Sequence, residues 1–179
     1  NDSSRTWAGD FNGDGLTEVA YAASKEIYTH ISTGSSAAGF TLQTTDTEDK
    51  WGDVAFTWAA DFNGDGMTDI ATASGTDTYM RLASSDQNGK FESVDTWTNA
   101  GNWNSDGDWT WVGDFNGDGM ADIACASGTS VYMSISYGSG FDTSTCATEA
   151  NLGNSDFSYT GDFNGDGLTD IASVSGSNT

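Results

Sequence analysis

Asp10-Phe11-Asn12-Gly13-Asp14-Gly15-Leu16-Thr17-Glu18 decides the fold, because the chain carries this stretch four times. It returns as Asp61-Phe62-Asn63-Gly64-Asp65-Gly66-Met67-Thr68-Asp69 and as Asp114-Phe115-Asn116-Gly117-Asp118-Gly119-Met120-Ala121-Asp122. The last copy is Asp162-Phe163-Asn164-Gly165-Asp166-Gly167-Leu168-Thr169-Asp170. Oxygen-bearing side chains stand at loop positions 1, 3, 5 and 9 of every copy, with glycine at 4 and 6. A hard cation such as calcium gathers about six to eight oxygens, so alternate residues of a tight loop must point inward, with a backbone carbonyl near position 7 filling a gap. The glycines permit the positive φ that so sharp a turn demands.

The predicted ligands of the first loop are Asp10, Asn12, Asp14, the carbonyl of Leu16 and Glu18. Those of the second are Asp61, Asn63, Asp65, Met67 and Asp69, and those of the third Asp114, Asn116, Asp118, Met120 and Asp122. The fourth offers Asp162, Asn164, Asp166, Leu168 and Asp170, so about four Ca²⁺ per chain are expected. One such loop alone would be weak evidence, since Asp, Asn and Gly cluster in ordinary turns. Four copies with the ligand spacing intact are strong evidence.

Position 12 separates this loop from the EF-hand, which closes with a bidentate Glu there and lies between two helices. Here position 12 is Tyr21, Thr72, Cys125 or Ser173. The residues that follow each loop, Val19-Ala20-Tyr21, Ile70-Ala71-Thr72, Ile123-Ala124-Cys125 and Ile171-Ala172-Ser173, are small or β-branched and suit a buried strand. The loop therefore joins two strands and closes through the acid at position 9.

The first Asp recurs at 10, 61, 114 and 162, a period near 50 that signals stacked supersecondary units, a β-propeller first among them when the units are all strand. Each unit opens with an aromatic strand containing Trp7, Trp58, Trp111 or Tyr159, whose ring is expected to pack between units. After the loop and the second strand comes an alternating third strand: Glu26 to Ile31, Asp77 to Leu82, Ser130 to Ile135. A fourth is expected around Phe40 to Thr44, Phe91 to Asp95 and Phe141 to Thr145. No segment sustains a helical period, proline is missing, and 23 glycines serve the turns. The expectation is an all-β chain: one domain over 1–179, a β-propeller of four-stranded antiparallel blades with repeats starting near 6, 57, 110 and 158, the last one incomplete.

About three and a half repeats do not close a ring, and open sheet edges are an aggregation hazard. The expected remedies are association with the rest of a longer propeller or a homodimer of two chains making seven blades. The sequence given opens at Asn1, as a mature chain or a portion of a longer one would.

Only 18% of residues are charged, yet 27 acids face 5 bases for a formal charge of −22. The loops hold three acids each, 12 in all, and four bound Ca²⁺, +8 together, would bring −22 to −14. Five bases cannot build the basic patch that nucleic acid or an anionic membrane requires. No run approaches the roughly 18 apolar residues of a spanning helix, so no membrane insertion is expected. Millimolar calcium outside cells suits weak structural sites, which favours a secreted or cell-surface protein. Cys125 and Cys146 are an even pair, compatible with one disulfide or with two free thiols.

The recurring Asp-Phe-Asn-Gly-Asp-Gly-x-x-Asp-Ile-Ala resembles the FG-GAP/VCBS repeat of integrin alpha-subunit heads and of mushroom lectins with integrin-like seven-bladed propellers. Ser130 to Phe141 also resembles the stretch after the metal loop in the lectin branch. The resemblance spans essentially the whole chain and implies calcium at the rim in a structural role. It identifies repeat and metal site, whereas the family includes lectins, adhesins, toxin components and scaffolds. Glu18 departs from the Asp of the other copies, which implies a looser or differently coordinated first site.

Little supports catalysis. His30 is the single histidine and lies on an alternating strand, and no nucleophile elbow, P-loop or dinucleotide fingerprint occurs. A lyase or glycosidase using Asp53 or Asp108 is the enzymatic alternative to a non-enzymatic binding module. The linkers Asp49 to Asp53 and Trp97 to Trp109 set tryptophan beside Asn, Asp and Gly, as a saccharide site does: a flat ring under the sugar's C–H face and short polar groups for its hydroxyls. Trp51, Asp53, Trp103 and Asn104 are the candidate ligand-binding residues, and the same tryptophans could instead fill gaps between repeats. The expected partners are glycans or an extracellular protein. A multivalent lectin and a structural or protein-adhesion scaffold are the two readings carried forward.

Overall fold

The computed structural model describes residues 5–23, 26–35, 39–46, 56–74, 77–86, 88–93, 95–98, 109–127, 130–148 and 157–174. Every regular element among them is a β-strand. The first sheet contains β1 (Arg5–Gly9), β2 (Glu18–Ala23), β3 (Glu26–Ser32) and β4 (Phe40–Asp46), paired in chain order. The second contains β5 (Thr57–Ala60), β6 (Asp69–Ser74), β7 (Asp77–Arg81) and β8 (Asp95–Thr98), in the same order. The third repeats the pattern with β9 (Trp109–Gly113), β10 (Asp122–Ser127), β11 (Ser130–Ser136) and β12 (Phe141–Thr148). A two-stranded sheet of β13 (Phe157–Gly161) and β14 (Asp170–Val174) follows.

Every acidic loop joins the first and second strands of its sheet. In register, Gly9 meets Glu18, Ala60 meets Asp69, Gly113 meets Asp122 and Gly161 meets Asp170, so the position-9 acid always pairs with the residue just before position 1. The loop glycines take the predicted left-handed backbone, for example Gly13 at φ 74° and Gly15 at φ 82°.

The chain divides into two compact units, one of residues 1–61, 65–74 and 78–96, the other of 62–64, 75–77 and 97–179. In the first unit Trp7, Phe11, Ala20, Ala22 and Ile27 pack with Met67, Ile70, Ala83 and Phe91, so successive repeats share one core. In the second, Trp111, Ala124, Ala126 and Val131 pack with Trp109, Phe115, Met133 and Ile171. The Trp111 indole N–H also donates to the Ser158 hydroxyl at 2.9 Å.

Trp7, Trp58 and Trp111 are buried as expected of inter-repeat packing. Tyr159, at the same position in the fourth repeat, is instead exposed, because no further sheet covers that face among the described residues. The fourth strand of the second sheet also begins later than Phe91. Phe91 forms an isolated bridge to Ala83, the Ser84 amide donates to Lys90, and the regular strand starts at Asp95. A turn through Asn88 (φ 45°) and Gly89 (φ 82°) fixes Phe91 against the core, and the chain leaves the ladder before rejoining it. Cys125 is buried on β10 and Cys146 lies on β12, with β11 between them in the sheet.

Candidate metal loops

Within the first loop, both Asp10 carboxylate oxygens accept from the loop's own amides: Oδ1 from Gly13 at 2.7 Å and Oδ2 from Gly15 at 2.8 Å. Asn12 Oδ1 accepts from the Asp14 amide at 3.1 Å, and Asp14 Oδ1 from the Leu16 amide at 2.8 Å. The same four-bond pattern recurs in the third loop around Asp114, Asn116 and Asp118 and in the fourth around Asp162, Asn164 and Asp166. In the second loop Asp61 accepts from Asp65 and Gly66, and Asp65 from Met67. Side chains at positions 1, 3 and 5 are thus turned inward by the backbone that carries them. In the fourth loop the Gly167 and Gly165 N–H groups hold the Asp162 carboxyl below its ordinary value.

The acid at position 9 has a hydrogen-bonding task that the spacing did not reveal. Asp122 accepts from the Phe115 amide at 3.0 Å through one oxygen and from the Ser136 amide at 2.8 Å through the other, tying the loop to the end of β11. Asp69 accepts in the same way from the Ala83 amide at 2.8 Å. In both cases the partner lies 14 residues further on. Burial pushes the Asp122 carboxyl up to about 6; the two amides pull it down, and the Asp118 and Asp114 charges add to the rise.

Glu18 differs by one methylene. Its Oε2 accepts from the Phe11 amide at 2.9 Å, but Oε1 is buried with no hydrogen-bond partner. The Ser32 amide faces it and favours the charge without reaching hydrogen-bond geometry. Burial is the main reason its carboxyl rises, with Asp14 and Asp10 adding to it. Asp10, Asp14 and Glu18 bring one oxygen each within 4.8 Å of one another, and no second group of three acids meets that spacing among the described residues. Where Asp69 and Asp122 engage the amide 14 residues further on, the matching oxygen of Glu18 has no hydrogen bond. A buried, unpartnered carboxylate oxygen beside two more acids fits a divalent cation.

His30 stacks on Tyr21 (5.8 Å between centroids, 23°) and meets Phe40 edge-on, an ordinary packing role. Trp51, Asp53, Trp103, Asn104 and Asp108 lie outside the described residues.

Consecutive loops also interlock, a relationship that sequence reasoning missed. The Thr68 amide donates to the Asp10 carbonyl at 2.6 Å, and the Thr169 amide to the Asp114 carbonyl at 2.8 Å. A readable trace exists: Gly9, Ala60, Gly113 and Gly161 before the loops are all small, and Thr17, Thr68, Ala121 and Thr169 fill position 8.

Three four-stranded antiparallel sheets in chain order, each with an acidic loop between its first two strands, and a two-stranded fourth with the same loop are the blades of a partial, unclosed β-propeller. The chain belongs to the FG-GAP-like repeat family, whose model matches residues 10–72, 61–125 and 114–173. Among solved structures it is similar to an Agrocybe aegerita lectin described for specific recognition of non-reducing terminal N-acetylglucosamine. The two share the fold with a TM-score of 0.79 at 20% identity, over 95% of this chain and 46% of the lectin, so the chain spans about half the lectin's length. No curated protein sequence matches the chain.

Proposed function

We propose that the chain is a non-enzymatic, calcium-stabilised carbohydrate-binding module that works outside the cell and presents its binding sites in several copies. The observation that carries the sugar reading is the fold shared along 95% of the chain with a lectin that recognises terminal N-acetylglucosamine. Glycans ending in that sugar are therefore the first ligands to test. Trp51 with Asp53 and Trp103 with Asn104 supply the stacking ring and the short polar groups such a site uses. Calcium is supported by the buried Oε1 of Glu18 beside Asp10 and Asp14, and in the remaining loops by the repeated ligand spacing. An ion there neutralises clustered acids and holds the ends of two strands together.

A second reading is a structural or protein-adhesion scaffold, favoured by the burial of Trp7, Trp58 and Trp111 in packing roles. A glycan array with a tryptophan-fluorescence titration separates the two. The lectin reading expects binding to terminal N-acetylglucosamine, fluorescence quenching, and loss of both with Trp51→Ala or Trp103→Ala. No response to any glycan at millimolar concentration in calcium buffer overturns it in favour of the scaffold.

A further inference from the structure

We propose that Asn88, carried in from the second repeat, is a positioning residue of the first acidic loop. It holds the Asn12 side chain with its oxygen turned to the cation, so this loop's grip on the ion depends on the neighbouring repeat. Asn88 lies outside every loop motif, so the role rests on the calcium reading of the loops and adds a residue that the ligand spacing does not contain.

The turn that delivers Asn88 is fastened to itself and to the first repeat. The Ser84 amide donates to the Lys90 carbonyl at 2.9 Å, and the Glu92 amide to the Leu82 carbonyl at 2.9 Å. Gly89 is buried against the Ile31 side chain, with Thr29 Cγ2 3.6 Å from where a Cβ would stand. The Phe91 amide donates to Thr45 Oγ1 at 3.2 Å, and the Phe91 ring meets Phe11, the second residue of the loop, edge-on at 5.5 Å. A side chain at position 88 is thus brought to the loop by backbone locked in place on both sides of it.

At the loop, the partners fix the polarity of each contact. Asn12 Oδ1 accepts from the Asp14 amide at 3.1 Å. Asn12 Nδ2 donates to Asp14 Oδ2 at 3.0 Å and to Asn88 Oδ1 at 3.2 Å. Both hydrogens of the Asn12 amide group are therefore engaged, and its oxygen keeps a lone pair for a cation. Asp14 is itself a candidate ligand, so a bound ion competes for its oxygens. Asn88 is outside the ligand set and holds Asn12 in either state. A flipped Asn12 would present N–H groups to the ion, so Asn88 acts on affinity through orientation, as outer partners of metal ligands do. The loop it reaches is also the one where the buried Oε1 of Glu18 lacks a hydrogen-bond partner, a group that a cation would satisfy.

The Asn88 side chain is surplus to the turn itself. Its φ of 45° is the one left-handed backbone outside glycine among the described residues, a conformation that Asn tolerates and glycine takes freely. Counting back three residues from Phe91 and from Phe141 sets Asn88 against Gly138, at φ 81°. Gly138 lies on the matching residue of the second loop: a Cβ there would stand 3.5 Å from the Asn63 carbonyl oxygen. Glycine thus makes the corresponding turn over the corresponding asparagine with no amide to offer, and the side-chain clamp belongs to the junction of the first two repeats.

Calorimetric calcium titration of chelator-treated protein tests this. Asn88→Gly keeps the left-handed backbone and removes only the amide, and an unchanged circular dichroism spectrum in chelator confirms folding. One site should weaken about two- to tenfold, the range of a single net hydrogen bond. Asn88→Asp keeps an acceptor at the same place and should bind at least as tightly as the wild type. In a Glu18→Gln background, where the first site is already lost, Asn88→Gly should change nothing further, which assigns the effect to the first loop. A wild-type titration for Asn88→Gly overturns the proposal and leaves the calcium reading standing, as does a loss that Asn88→Asp shares or that persists in the Glu18→Gln background. A wild-type chain that binds no calcium overturns both.

Discussion

Thr68 rests on Gly9 with no room for a methyl group between them: a Cβ at position 9 would lie 2.5 Å from the threonine side chain. Gly9→Ala should therefore force the loops apart and cost about 1–3 kcal/mol, the usual range for overpacking. Gly9 is not among the positive-φ glycines, so the effect is steric. The sequence suggests its own repair, since the second and third loops place Ala60 and Ala121 at these two positions. Adding Thr68→Ala to Gly9→Ala should recover most of the loss, read as the urea midpoint at unchanged slope.

The raised Asp122 carboxyl gives the metal-free protein a pH dependence of defined sign. Its pKa is about 6 in the fold against an ordinary 3.8, so the folded state holds this proton more tightly than the unfolded chain does. The stability it contributes is complete below pH 3.8 and is lost as pH rises through 6. A cation needs the same group ionised, so stabilisation by calcium should grow over that interval. Melting temperatures in chelator and in calcium, measured from pH 4.5 to about 7.5, should diverge as pH rises. Asp122→Asn should flatten the chelator curve near pH 6 and shrink the gap.

Calcium itself should stabilise the fold by mass action. A single site at a hundredfold excess over its dissociation constant contributes about 2.7 kcal/mol. Adding millimolar calcium to chelator-treated protein should raise the melting temperature, and calorimetry should count about four ions per chain. Glu18→Gln keeps the shape of the first loop but removes one of its converging charges, so the count should fall by about one. A calcium-independent melt would remove the metal reading.

The acidic loops were legible because ligand spacing is a local property: Asp10, Asn12 and Asp14 are turned inward by hydrogen bonds within five residues of themselves. The first three strands of the first three repeats, and the two of the fourth, were legible for the same reason, from small and β-branched runs and from alternation. What escaped the reading depends on distant partners. Asp122 was predicted as a ligand, but its tie to Ser136 crosses 14 residues and has no signature in the loop. The grip of Thr68 on Asp10 spans 58 residues, and its trace, a small residue before each loop, is ordinary for a turn. The late start of β8 follows from the tuck of Gly89 beneath Ile31, which pins Phe91 before the strand resumes.

Phe40, Phe91 and Phe141 hold the same place in three repeats, so one substitution measures what a covering repeat contributes. Phe91 is 3% exposed and edge-on to Phe11, Phe141 is 1% exposed and edge-on to Phe62, and Phe40 is 53% exposed. Removing a buried ring loses its transfer free energy and leaves a cavity, together about 3–5 kcal/mol. Phe91→Ala and Phe141→Ala should lower the chemical midpoint accordingly, or prevent folding in chelator. Phe40→Ala in this chain should cost less than about 1 kcal/mol, since little of that ring leaves water on folding. Equal losses at all three positions would mean that the ring stabilises its own strand rather than the contact with the neighbouring repeat.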